Sequence, residues 1–186
     1  METKYRRAMK FVMLLLTSLL ICAASVAAYT EMFMHGSNIT IGTAGVKFVA
    51  GDDTATMGGG DAINPQGTEV TFDNLLSVEP GEVETYNEAV NITNNAGSTK
   101  TITVEFYSLS GNWSSNFDEI NVTIIAANGT ALGSTIRILS SGSNTTSTGS
   151  IPMNDGEEWA VKWVIKAKTD ASNGQSITIV FKVKVE

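Results

Sequence analysis

Cysteine, histidine and proline are scarce in this chain: one, one and three among 186 residues. The cysteine, Cys22, falls in an N-terminal apolar stretch, so everything after it lacks a thiol nucleophile and cannot form a disulfide. A single histidine, His35, excludes a multi-histidine zinc site. A Ser-His-Asp triad would need His35, and no nucleophile-elbow motif accompanies it. His35 therefore reads as a surface or interface residue. Basic residues are also few, 12 Lys+Arg against 19 Asp+Glu. A nucleic-acid binder would be basic, so that class is dropped.

Positive charge concentrates at the start. Lys4, Arg6, Arg7 and Lys10 precede an apolar run from Phe11 to Ile21, followed by the small residues Ala23, Ala24, Ser25, Val26, Ala27 and Ala28. This is the pattern of a secretory signal peptide over residues 1–28, cut after Ala28, with Ala27 the next best site. A retained anchor is disfavoured, because the apolar run is shorter than the ~20 residues of a spanning helix. Lipid attachment at Cys22 would want a small residue where Ile21 stands. A pilin-type cut after Ala8 would leave Lys10 in a packed helical core, where a charge is costly. The leader holds four of the 12 basic residues and one of the 19 acidic ones, so export leaves 8 and 18, a net charge of −10. Such acidity suits solubility, or a salty or cation-rich setting. The expectation is a secreted protein with no membrane span once the leader is gone.

The remaining chain, long enough for one domain with a real core, reads as β. Trp159, Val161, Trp163, Ile165 and Ala167 alternate with Ala160, Lys162, Val164, Lys166 and Lys168. Ile177, Ile179, Phe181, Val183 and Val185 alternate likewise, as do Ile102, Val104 and Phe106. Period two with β-branched and aromatic residues marks half-buried strands. Turn residues separate them at Pro80-Gly81, Asn94 to Gly97, Asn128-Gly129, Asn154 to Gly156 and Asn173-Gly174. Strands are expected near 38–50, 68–78, 83–93, 99–107, 119–127, 134–140, 158–168 and 175–185. Seven or eight short strands with no strong helical period point to an all-β fold, a single antiparallel β-sandwich. Two stretches poor in apolar residues, 51–67 and 140–150, are expected to be surface loops that add little to the core.

Six Asn-X-Ser/Thr sequons are candidates for N-glycosylation: Asn38, Asn91, Asn112, Asn121, Asn128 and Asn144. Strand parity turns Asn38, Asn91 and Asn121 outward, and the other three fall in expected loops. All six are therefore expected to be accessible, as attachment of a glycan requires. The bland reading is that they are ordinary outward polar residues.

Chemistry-bearing groups are sparse. Asp118-Glu119 and Glu157-Glu158 are adjacent, so on strands they cannot flank one glycosidic bond. Gly58-Gly59-Gly60 lacks the Lys-Ser/Thr of a phosphate loop. Asp52, Asp53 and Asp61 lack EF-hand spacing. No catalytic residue, metal site or cofactor is assigned, and the chain is not expected to be an enzyme. Trp159 and Trp163 share one strand face and read as core, while Trp113 is the better exposed candidate for stacking on a sugar.

Residues 29–42 form a separate arm before the domain at 43–186. Tyr29 to His35 is bulky and apolar, and Asn38 to Ile41 alternates. Parity does not run cleanly from Ile39 and Ile41 to Val46 and Phe48, and Gly42 and Gly45 permit a bend. The arm therefore reads as a strand not bound to its own domain.

The order of leader, apolar arm, Gly45-Val46-Lys47-Phe48, Val70 to Glu82 with Pro80-Gly81, Val90 to Ser98 with Asn95-Ala96-Gly97-Ser98, and Asp155-Gly156-Glu157 resembles the TasA/camelysin family of biofilm fibre proteins. It is similar also to the related bundling pilins of archaea. The resemblance implies a jelly-roll or immunoglobulin-like sandwich with an extended N-terminal donor strand. It implies polymerisation by donor-strand complementation, in which Met32, Phe33, Met34, Ile39 and Ile41 complete a neighbour's sheet. The partner is then the chain itself, head to tail, with neighbouring filaments in bundles and N-linked glycans at the surface. The contact is heterologous and non-closing, so it builds a filament. Some camelysin-like members are described as metalloproteases. This chain has no HExxH and only His35, so that activity does not carry over. The competing reading is a secreted monomeric module that binds carbohydrate or a surface.

Overall fold

The computed structural model describes the backbone of residues 30–35 and residues 45–58, 62–72, 78–172 and 177–186. The expected leader, Asn38, Ile39 and Ile41 lie outside these residues. In chain order the elements are β1 (Thr30–His35), β2 (Val46–Val49), α1 (Thr54–Gly58), β3 (Val83–Asn94), β4 (Lys100–Gly111), α2 (Trp113–Asn116), β5 (Phe117–Ala126), β6 (Ala131–Leu139), β7 (Ile151–Met153), β8 (Glu158–Ala167) and β9 (Ile177–Val185). They form two antiparallel sheets, ordered β1-β9-β4-β7 and β2-β3-β8-β5-β6. The expected all-β sandwich is present. Most chain connections pass from one sheet to the other, while β5 and β6 form a hairpin closed by Gly129 at φ 81°.

Alternation builds the core. On β8, Trp159, Val161, Trp163, Ile165 and Ala167 are buried while their neighbours are exposed or half-buried. Ile120, Val122 and Ile124 do the same on β5, and Phe181, Val183 and Val185 on β9. Trp163 sits edge-on to both Phe72 (6.2 Å between centroids) and Phe181 (5.2 Å), and Phe181 meets Phe106 at 6.2 Å. Edge-to-face contact of this kind adds to the area each ring removes from water. The chain of rings binds one sheet to the other.

Both stretches expected to be surface loops carry structure. In 51–67, Met57 and Ala62 enter the core, and α1 is fastened to β3 by Thr54, whose Oγ1 donates to the Ala89 carbonyl at 2.7 Å. Of the strand expected at 68–78, residues 73–77 lie outside the described residues, and Val70 makes an isolated bridge with Ile63. The 140–150 stretch is a seam. Thr145 bridges Arg137 on one sheet and Ser147 bridges Glu105 on the other. Threonine has high β-propensity, and here backbone pairing does what apolar side chains do elsewhere. Composition misled because it measures burial of hydrocarbon, not of hydrogen bonds.

Asn94 is a further tie between the sheets. It is fully buried at the end of β3. Its Nδ2 donates to the carbonyls of Ser98 and Met153, each at 2.9 Å, and its Oδ1 accepts from Ala96 N at 3.0 Å. A buried amide is tolerated only when its groups are satisfied, and these are.

Candidate functional site

The arm does not stand free. β1 runs antiparallel to β9, from Thr30 opposite Val185 to His35 opposite Val180. Met32, Phe33 and Met34 lie opposite Val183, Lys182 and Phe181. In this single chain the arm, expected to leave its own domain, lies on β9. The physical reason is the unsatisfied edge of β9: its backbone donors and acceptors take the nearest available strand, which in a single chain is its own N-terminal one. β4 holds the opposite side of β9, so β1 is the outermost strand of its sheet. Beside it, Lys184 is ion-paired with Glu105 at 2.9 Å.

The sequons divide. Asn112, Asn128 and Asn144 are exposed. Asn128 Oδ1 accepts from Thr130 N at 3.0 Å and Asn144 Oδ1 from Leu139 N at 2.9 Å, so in both it is the oxygen, not the nitrogen that a sugar would join, that is engaged. Asn91 differs. It is 8% exposed, and its Nδ2 donates to Glu158 Oε1 at 2.8 Å. Asn121 is half-buried with its Nδ2 on Glu119 Oε1 at 2.8 Å. The expectation that all six are accessible therefore fails at Asn91 and is weakened at Asn121. Strand parity turned Asn91 away from the core correctly, but Glu158 on β8 engages its amide.

The carboxylates and tryptophans fall into structural roles. Asp118 pairs with Lys166 at 3.2 Å and Glu119 with Arg137 at 3.1 Å, so each has its own cation. Glu157 accepts from Asn154 N and Nδ2, both at 2.9 Å, and these bonds hold its carboxyl below the usual range. Asp53 accepts from Glu88 N at 3.1 Å and pins α1 to β3, while Asp61 lies outside the described residues. Burial first, then the charges of Glu84 and Asp53, push the Tyr86 phenol up, so it stays neutral at physiological pH. Trp159 and Trp163 are core as expected. Trp113 is half-buried, packed against the core and still partly open to solvent.

Among the described residues, no three His, Cys, Asp or Glu side chains gather as metal ligands, and no helix is long and apolar enough to cross a membrane. No protein-family model matches the chain, and no curated protein matches it significantly.

Proposed function

We propose that the chain is an extracellular structural subunit that polymerises head to tail by donor-strand complementation, forming pilus-like fibres that bundle in biofilm. The observation that carries this reading is the placement of β1. It is N-terminal, outermost in its sheet, and held through a six-residue ladder on β9. A strand so placed can be exchanged for the identical strand of a neighbour with no new contact needing to be invented. β9 is then the acceptor edge. Each donated strand leaves the next subunit's edge to be filled, so the contact propagates. The sandwich with its sheet-crossing connections is compatible with the jelly-roll arrangement that the TasA/camelysin resemblance implies. Exposed Asn112, Asn128 and Asn144 and the acidic surface are the proposed points of glycosylation and bundling. No catalytic role is assigned.

The test uses the scarcity of cysteine. In a Cys22→Ser background, Met32→Cys and Val183→Cys place two thiols at facing ladder positions. Facing residues on antiparallel strands lie about 4.5–5.5 Å apart at Cα, within disulfide range. Fibres should give a ladder of covalent oligomers on a non-reducing gel that collapses on reduction. A single intrachain-linked monomer, with only dispersed particles in the electron microscope, would replace this reading with a self-complemented monomeric binding module.

A further inference from the structure

The outer face of the five-stranded sheet carries a depression of ≈ 550 Å³. Its floor is Ala160 on β8, flanked in register by Asn91 on β3 and Ile125 on β5. Ala160 is the smallest of the three, so the row is lowest at its centre. On β8 itself, Glu158 and Lys162 stand two residues to either side and project to the same face. Glu88, in the irregular part of β3 between Tyr86 and Val90, lies on the rim.

The polar groups here are incompletely used. Asn91 is 8% exposed, and its Oδ1 is buried with no hydrogen-bond partner in the protein. A buried carbonyl oxygen left unpaired is unfavourable. Glu158 and Glu88 are further acceptors, whereas Lys162 is a donor. An anion would meet two carboxylates, and a simple cation would meet the Lys162 ammonium. A hydroxyl group fits both kinds of partner, because it donates to oxygen and accepts from nitrogen. Ala160 and Ile125 offer an apolar floor for the C–H face of a ring. The volume lies within the range of small-molecule sites, roughly 300–1,000 Å³.

We infer that this depression is a binding site for a hydroxyl-rich ring ligand, a pyranose sugar unit, with Glu158 and Glu88 accepting from sugar hydroxyls and Lys162 donating to them. The inference does not depend on fibre formation. An open site of this size holds such a ligand weakly, with Kd on the order of millimolar.

Saturation-transfer NMR on the purified protein tests it, with glucose, galactose, mannose and N-acetylglucosamine as probes. At least one sugar should show saturable transfer. Ala160→Trp, which fills the depression, and Lys162→Met, which removes a donor but little volume, should each weaken binding at least tenfold. Circular dichroism should be unchanged in Lys162→Met, which keeps the test valid if Ala160→Trp perturbs the sheet. Absence of transfer to all four sugars, or binding unaltered by Lys162→Met, overturns the inference. So does saturable binding of calcium or spermidine at these residues in place of sugar.

Discussion

Thr148 and Val104 are joined twice across the side of the sandwich: Thr148 N donates to the Val104 carbonyl at 2.9 Å, and Val104 N donates to Thr148 Oγ1 at 3.0 Å. The hydroxyl proton goes on to the Gly149 carbonyl at 2.9 Å. Thr148 is 2% exposed, so water cannot substitute for it. Ser134 N also donates to the Thr148 carbonyl at 2.9 Å, which makes this residue the link between β4 and β6.

Replacing Thr148 with Val keeps the shape and β-propensity but strands the Val104 amide. Leaving one buried donor unsatisfied costs about 1–3 kcal/mol. Urea denaturation should show a lower midpoint with an unchanged slope. An unchanged midpoint would mean that the seam is open to water in solution.

Asn94→Ala removes all three hydrogen bonds of the buried amide and leaves the Met153 carbonyl without that donor. A loss of about 2–4 kcal/mol is expected, since more than one buried group is orphaned. Hydrogen exchange should quicken at Lys100 to Ile102, where β4 pairs with β7. A loss spread evenly over both sheets, with no excess there, would contradict the local role of Asn94.

Glycan occupancy should follow the geometry rather than the motif. Glycopeptide mass spectrometry on native material is expected to find sugar at Asn112, Asn128 and Asn144 and bare Asn91. The reason is specific: a glycan on Asn91 Nδ2 would displace the bond to Glu158 and would have to grow from a side chain that is only 8% exposed. Substantial occupancy at Asn91 in folded protein would show that β3 and β8 are arranged differently in the native state.

Glu157 gives a prediction in pH. Its folded pKa is depressed, chiefly by the Asn154 side-chain bond and then by the Asn154 backbone bond. A depressed carboxyl stabilises the fold above its unfolded pKa of about 4.3 and loses that contribution as pH falls through the folded value. Because the group is exposed, solvent screening keeps the effect small. A carboxyl NMR titration should place Glu157 below glutamates that lack such bonds, and Asn154→Ala should return it toward them. A Glu157 that titrates at the ordinary value would show that the Asn154 turn does not persist in solution.

Sequence alone determined the class of fold and most of the strands. Alternation over Glu158–Ala167 and Ile177–Val185 is a local property, because successive side chains on an extended backbone must face opposite ways. It also marked Trp159 and Trp163 as core, where they are buried. Tertiary structure decided the rest, since each depends on what lies across from a segment rather than within it. Residues 140–150 look like a loop until Arg137 and Glu105 are found on either side. Asn91 looks accessible until Glu158 closes on it. The edge of β9 that the apolar arm fills is invisible until the sheet is assembled. The low point at Ala160 exists only because register sets it between Asn91 and Ile125, which are distant in the chain and adjacent in the sheet.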